Sequence, residues 1–266
     1  MTVNGFGHIH VHTKFSLLDG MCNIEELILR AKELGQEFMA ITDHGSMAGH
    51  FEFEETCLKH GIKPILGCEF YMSKNKAANK EDSGYHLIVL AKNQEGLQNM
   101  YRLQAKAYKN NFYRKPNINF DMLVEHKEGL IVTSACIGGV IGQLTLSNPL
   151  EAKIEAQRYK NEFGNDFYLE IQPNDLVDQW KMNKEILKIA NQLDIKVIAT
   201  NDIHYVLQED YDVHEVLLAM QVKKKWSDEK RFKFPTNDYW CKSIEEMIET
   251  FQGYTNKEIT RNNVST

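Results

Sequence analysis

Short apolar runs that end or begin on a histidine, an acid or a cysteine recur along this chain, with a helical stretch between one and the next. Residues 38–42 (FMAIT) run directly into Asp43 and His44, and Glu69 lies within the run 63–71. His86 opens the run 86–91 (HLIVLA), Cys136 follows 130–133, and Asp202 and His204 follow 196–200 (KVIAT). Between these runs, Asn23 stands as an N-cap ahead of Ile24, Leu27, Ile28, Ala31 and Leu34 at helical spacing, with Glu26 three residues on and Gly35 as terminator. Further helical patterns cover 47–59, 95–108, 149–163 and 178–193, and 167–171 reads as one more strand. Such alternation predicts an α/β fold of parallel strands with helices outside, as a closed barrel or as an open doubly wound sheet. The polar stretch 73–84 reads as an inserted loop and 110–119 as a second, less ordered connection.

The first apolar run, 5–11 (GFGHIHV), reads as a strand whose period of two puts His8, His10 and His12 on one face, and Asp19 follows His12 by seven residues. Loops that leave parallel strands converge on one side of the sheet, which is where barrels and doubly wound folds carry their chemistry. Imidazole, carboxylate and thiolate are borderline donors suited to zinc or manganese, and a carboxylate such as Glu69 can bridge two cations. A pair of cations sharing a hydroxide suits in-line displacement at phosphorus. Singly, His86 and Cys136 are packing residues and Asp43 and Asp202 are caps or turn residues; the coincidence at so many strand ends points to metal. His8, His50, His60, His126 and His214 fall outside the pattern and are assigned to surface or packing roles.

Composition narrows the rest. The 266 residues carry 31 Lys+Arg against 37 Asp+Glu, a net charge of −6, which excludes a basic protein that coats nucleic acid. Five cysteines without a C-x-x-C pair fit neither a disulfide scaffold nor a zinc ribbon, and a reducing cytoplasm is the expected setting. No signal peptide and no long apolar span is indicated.

The segments HIHVHTKFSLLDG (8–20), AITDHG (40–45), GCEFY (67–71), HLIVLAKN (86–93), SACIGG (134–139) and TNDIHY (200–205) resemble the successive motifs of the PHP (polymerase and histidinol phosphatase) domain family. SLLDG and the AKN after the His86 run resemble its polymerase branch, the N-terminal PHP domains of bacterial replicative DNA polymerase III alpha subunits. The resemblance implies a distorted (β/α)7 barrel with a trinuclear metal centre at the C-terminal ends of the strands. It implies that His10, His12, Glu69 and Asp202 hold one cation, that Glu69, His86 and Cys136 hold a second, and that Asp19, His44 and His204 hold the third. The ions would be zinc or manganese, with iron or magnesium as admixture, and a metal-bridging hydroxide held by Glu69 would attack the phosphodiester. Asp43 would orient a ligand histidine by accepting its other N–H.

The implied activity is a 3′–5′ exonuclease or related phosphoesterase in DNA replication, with a DNA 3′ end, the remainder of the alpha subunit and other replisome subunits as partners. Residues 1–240 would form the PHP domain and 241–266 the start of a linker toward a polymerase palm, whose carboxylates the chain does not include. A free-standing phosphatase of a small phosphomonoester and a structural domain supporting a polymerase are the alternatives. DNA-contacting residues are not legible: Lys223, Lys224, Lys225 and Trp226, with Lys230, Arg231 and Lys233, read as a solvated face, and Phe112 and Tyr113 as packing aromatics. Three divalent cations would offset the net charge of −6, so the acidity argues against unspecific DNA coating and not against a pocket for one DNA end.

Overall fold

In the computed structural model, which describes residues 5–75 and 77–253, local signals and helix boundaries agree. Asn23 caps α1 (Ile24–Glu33) by accepting from the Glu25 and Glu26 backbone N–H groups, with acids in the first turn and Arg30 and Lys32 in the last. Leu27, Ile28 and Ala31 are fully buried, each of the two larger side chains contributing about 1.5–3 kcal/mol of burial free energy. β1 (Phe38–Ile41), α2 (His50–His60), β2 (Lys63–Met72), β3 (Tyr85–Ala91) and α3 (Gln94–Asn110) follow. Next come a hairpin of β4 (Phe112–Tyr113) and β5 (Lys115–Ile118), then α4 (Phe120–Glu125), β6 (Leu130–Thr133), α5 (Val140–Ser147) and α6 (Pro149–Phe163). β7 (Phe167–Ile171), α7 (Val177–Leu193), β8 (Lys196–Ala199) and α8 (Tyr211–Gln221) come next, and residues 244–253 are helical as well. The region 110–119, expected to be a loose connection, thus holds an ordered hairpin, and β5 adds in parallel to the end of β2.

The sheet order is β4-β5-β2-β3-β6-β7-β8, with β1 beside the first half of β2. The first segment closes the ring. On one side Ala40 N–H bonds to His8 O and Thr42 N–H to Val11 O; on the other, His12 N–H bonds to Ile203 O and Ile203 N–H to His10 O. The result is the distorted seven-stranded α/β barrel that the resemblance implied. One expectation fails: the strands are not all parallel. β3 runs antiparallel to both β2 and β6, so its first residues lie at the same end of the barrel as the last residues of its neighbours. That reversal lets His86 join a site otherwise built where strands finish.

The expected common face for His8, His10 and His12 is also corrected. Between its bonds to β1, the first segment advances three residues (His8 to Val11) while β1 advances two (Ala40 to Thr42). The extra residue acts as a bulge and changes the side to which the chain points. His10 and His12 face the mouth, and His8 turns away to donate from Nε2 to Lys242 O at 2.8 Å.

Three apolar clusters support this frame. Ile9, Ala40, Ile88, Leu90 and Ala135 plug the inside of the barrel. Val11, Met39 and Ile41 pack outward on α1 and α2, and the remaining strands pack on α3 to α7. Among the described residues no helix is long and apolar enough to cross a membrane.

Candidate metal centre

The nine candidate ligands reach the barrel mouth from seven places in the fold. His10 and His12 come from the closing segment, Asp19 from the turn after it and His44 from the end of β1. Glu69 comes from β2, His86 from the start of β3, Cys136 from the turn after β6, and Asp202 and His204 from the exit of β8. Several of these turns are strained. Among the described residues, six other than glycine have positive φ; Leu18 (61°), Ala135 (58°) and Asp202 (56°) stand at or immediately before Asp19, Cys136 and Asp202. Left-handed backbone at Leu and Ala persists only where surrounding structure imposes it. Gly138 allows the Cys136 turn to approach β3, because a Cβ there would lie 3.1 Å from His86 Nδ1.

The donors converge on Glu69, which is completely buried. His10 Nε2 lies 3.4 Å from Glu69 Oε1, His12 Nε2 3.5 Å from Oε2, and His86 Nδ1 2.9 Å from Oε1. His44 Nδ1 contacts Glu69 Oε2, and its Nε2 lies 2.7 Å from Asp19 Oδ2. Asp202 Oδ1 is 3.1 Å from His10 Nε2 and 3.2 Å from His12 Nε2. Asp19 Oδ2 also lies 3.6 Å from His204 Nε2, and Cys136 Sγ 3.4 Å from His86 Nδ1. Three sets of donor atoms fall within 4.8 Å of one another: His10, His12 and Asp202; His44, Glu69 and His86; His12, His44 and His204. These sets overlap the grouping that the family resemblance implied without repeating it, with His44 beside Glu69 and His12 beside His204.

Close as they are, these atoms do not satisfy one another. Among the described residues, His10 Nε2, His12 Nε2, His44 Nδ1, both Glu69 oxygens and Asp202 Oδ1 are buried without a hydrogen-bond partner, because their contacts lie off the hydrogen-bonding direction. Buried polar atoms are paired in the great majority of cases, so a cluster of them facing one point is a cradle for something that accepts lone pairs.

Outward-facing contacts fix the tautomers accordingly. His10 Nδ1 donates to Glu170 Oε1 at 2.6 Å and His204 Nδ1 to Asp202 O at 2.9 Å. Ser16 Oγ gives its proton to Asp43 Oδ1 at 2.7 Å and therefore accepts from His12 Nδ1 at 3.1 Å. With Nδ1 engaged outward, Nε2 is the nitrogen that each of the three rings turns toward the mouth.

Charge reinforces the reading. Burial opposes a proton on His10, but Asp202 and Glu170 outweigh it and hold its pKa well above the usual imidazole value. Burial, with His44 and His204 alongside, pushes His12 down to about 3. Burial also works against charge on His44, yet Glu69 and Asp19 raise it to about 10. Against burial, the surrounding histidines hold Glu69 and Asp202 well below the ordinary carboxylate range. The Cys136 thiol is pushed up by burial and by Asp202 and Glu69. His12 stacks on His44 with ring centroids 4.1 Å apart, so protonating all the rings would crowd like charges. Divalent cations would answer every group at once: they would take the imidazole lone pairs, neutralise the carboxylates and favour the Cys136 thiolate.

Two residues behave differently from expectation. Asp43 orients no histidine directly; it accepts from Thr13 N–H at 2.6 Å, Thr13 Oγ1 at 2.8 Å and Ser16 Oγ, and acts on His12 through Ser16. The carboxylate that does accept a ligand-type ring N–H is Glu170, which also accepts from Thr133 Oγ1 at 2.6 Å and from Thr200 Oγ1. Sequence reading passed over it; an acid inside the apolar run FYLEI was the available signal.

Of the histidines set aside, His50 packs with Nε2 on Gly67 O. His214, also set aside, donates from Nε2 to Asp19 O at 2.7 Å and so braces the turn that carries Asp19. Arg231 is no solvated cation but pairs with Glu215 at 2.8 Å in the interior.

Known proteins resemble this chain in sequence and in fold. Residues 8–174 match the PHP domain family. Over 252 residues the chain is 44% identical to the DNA polymerase III subunit alpha of Borreliella burgdorferi, covering 92% of this chain and 22% of that protein. Over 251 residues it is 40% identical to that of Thermus aquaticus, covering 91% and 21%. The chain therefore spans about a fifth of the length of these relatives. An amidohydrolase structure from Chromobacterium violaceum shares the fold with a TM-score of 0.51 at 15% identity, over 74% of this chain and 87% of that one. With more than half of its residues matched and close relatives across nearly its whole length, the chain belongs to the PHP domain family and is homologous to the N-terminal region of DNA polymerase III alpha subunits.

Proposed function

We propose that this chain is the PHP domain of a bacterial-type replicative DNA polymerase III alpha subunit and acts as a metal-dependent 3′–5′ exonuclease on DNA phosphodiesters. The observation that carries the reading is the set of buried, unanswered donor atoms on His10, His12, His44, Glu69 and Asp202 that face one another at the barrel mouth. His10, His12, Glu69 and Asp202 would hold one divalent cation, Glu69, His86 and Cys136 a second, and Asp19, His44 and His204 a third. Zinc or manganese suits this donor set, with iron or magnesium as admixture. Such ions supply Lewis acidity toward a phosphoryl oxygen and lower the pKa of water.

The chain's own residues do the positioning. Glu69 stands between donor sets with both oxygens available. Glu170, Ser16 and the Asp202 carbonyl keep the His10, His12 and His204 rings turned so that Nε2 faces the mouth. Residues 1–240 form the PHP domain in this reading. The stretch 241–266 leads toward the remainder of the alpha subunit, which is a partner together with other replisome subunits and a DNA 3′ end. Its residues 254–266 lie outside the described residues.

The test combines metal analysis with a DNA assay. Chain loaded with zinc or manganese is incubated with single-stranded DNA labelled in its 3′ nucleotide and, separately, with a small phosphomonoester. Release of labelled nucleotide that is lost in Asp19→Ala and His44→Ala is the expected result. An intact DNA end alongside phosphomonoester cleavage would replace this reading with a free-standing phosphatase. Bound metal with no hydrolysis of either substrate would replace it with a structural domain.

A further inference from the structure

A cleft of about 430 Å³ opens beside the histidine cluster, with Asp19, His44 and Tyr71 lining it and the β4–β5 hairpin along one wall. The hairpin is built under strain. β4 and β5 pair Tyr113 with Lys115, which leaves Arg114 alone at the tip, and Arg114 holds φ at 58°. Glycine or asparagine would adopt that left-handed conformation far more readily. A long cation kept there against its backbone preference is a side chain whose placement matters more than the turn's stability.

Contacts tie this tip to the metal-type cluster. Lys115 Nζ donates to Tyr71 OH at 2.9 Å and lies 4.0 Å from the centre of its ring. The Tyr71 ring in turn stacks toward His44, with centroids 5.8 Å apart. Along the same wall, Tyr108 near the end of α3 and Phe112 in β4 are 54% and 56% exposed, with ring centroids 6.0 Å apart. Phe112 therefore does not have the packing role that its sequence context suggested. Two exposed rings next to two exposed cations at the lip of a cleft serve no core. They match a polymer that alternates flat apolar faces with phosphates.

We infer that this wall grips the end of a single-stranded nucleic acid: a base stacks against Tyr108 and Phe112 while Arg114 and Lys115 hold flanking phosphates. The terminal phosphodiester is thereby led toward Asp19 and His44. Only unpaired bases offer a free face for such stacking, so the grip selects single strands or frayed ends over intact duplex. The inference rests on the exonuclease reading and deepens it by assigning the strand's grip to the β4–β5 hairpin and Tyr108.

Fluorescence anisotropy of a 5′-labelled oligothymidylate, titrated with the full chain in the presence of a chelator, reads binding without hydrolysis. Phe112→Ala and Arg114→Gly are each expected to weaken binding by roughly tenfold, and the Arg114 effect to shrink as salt rises. Phe112→Trp keeps a stacking face and is expected to bind as the unsubstituted chain does. Arg114→Gly relieves the strained turn, so its Tm is expected to match or exceed that of the unsubstituted chain, which separates lost binding from lost folding. Unchanged affinity in both weakening variants, or an unsubstituted chain that binds no oligothymidylate, would overturn the grip. A chain that binds the oligonucleotide through these residues but leaves its 3′ end intact when metal-loaded would overturn the exonuclease reading and leave the grip standing.

Discussion

Two buried polar clusters lie side by side in this barrel and differ in whether the protein answers its own groups. Lys242 is fully buried, yet Nζ donates to Asn201 Oδ1 at 3.0 Å and to Asp238 O, and its ammonium sits 3.5 Å from the Trp240 ring centre. Its carbonyl accepts from His8 Nε2 and, at 3.2 Å, from Gln36 Nε2. One residue along from Asn201, the Asp202 carboxylate belongs to the mouth, where His10, His12, His44 and Glu69 present buried donor atoms that nothing among the described residues satisfies. Burial alone therefore does not distinguish a structural polar network from a ligand site. The distinction lies in the missing partners, since a buried polar group left unpaired costs about 1–3 kcal/mol.

Breaking the mouth at its centre has the largest expected effect. Glu69→Gln removes the charge shared by the donor sets, so hydrolysis of 3′-labelled DNA is expected to fall on the order of a thousandfold, several kcal/mol of transition-state stabilisation. The rise in Tm that zinc or manganese gives the chelated chain is expected to vanish with it. A variant that still gains stability from metal as the unsubstituted chain does would show that Glu69 is not the hub.

Glu170→Gln comes next, because it leaves every proposed donor in place and alters only the group that turns His10. Metal affinity, followed by competition with a chelating dye, is expected to drop by about 10–100-fold. Unchanged affinity would mean that the His10 ring is held by other contacts.

The answered cluster is expected to behave in the opposite way. Lys242→Met leaves Asn201 and the Asp238 carbonyl short of a donor and is expected to lower stability by about 1–3 kcal/mol, with metal affinity unaltered. Burial pushes the Lys242 pKa down from 10.5 to about 7. Between those values the unfolded chain binds more protons than the folded one, so this lysine's contribution to stability rises with pH from about 7 toward 10.5. Denaturant melts across that range are expected to lose part of their upward slope in Lys242→Met, and a variant with the original slope would locate the effect elsewhere. Asn23→Ala, remote from both clusters, tests the frame: about 1 kcal/mol lost from α1 in a chemical melt and no change in metal binding. A change in metal affinity from this cap would show that the mouth is not insulated from the outer helices.

The comparison also explains what was legible in the sequence. Strand-end histidines and acids stand out because side-chain chemistry and local apolar pattern are both one-dimensional signals. α1 was readable from Asn23, and β7 from its apolar run. The direction of β3 was not, because alternation of apolar residues looks the same whichever way a strand runs, and only pairing with β2 and β6 reveals it. The β4–β5 hairpin escaped notice because its residues, FYRKPNI, carry no apolar alternation and its turn uses Arg114 in place of glycine. Glu170 meets His10, and Ser16 meets Asp43, across long separations in sequence, and the bulge that turns His8 away is a mismatch between the advances of two segments that neither encodes alone. Asp43 was expected to orient a ligand histidine directly, but it reaches His12 only through Ser16.

Whether the mouth is a metal centre is read from the metal stoichiometry of the loaded chain, measured by elemental analysis after removal of free ions. Up to three equivalents of zinc or manganese are expected, with a marked loss in Glu69→Gln and retention in Lys242→Met. A folded chain that retains no divalent ion and has the same Tm with and without metal would contradict a metal centre at the mouth.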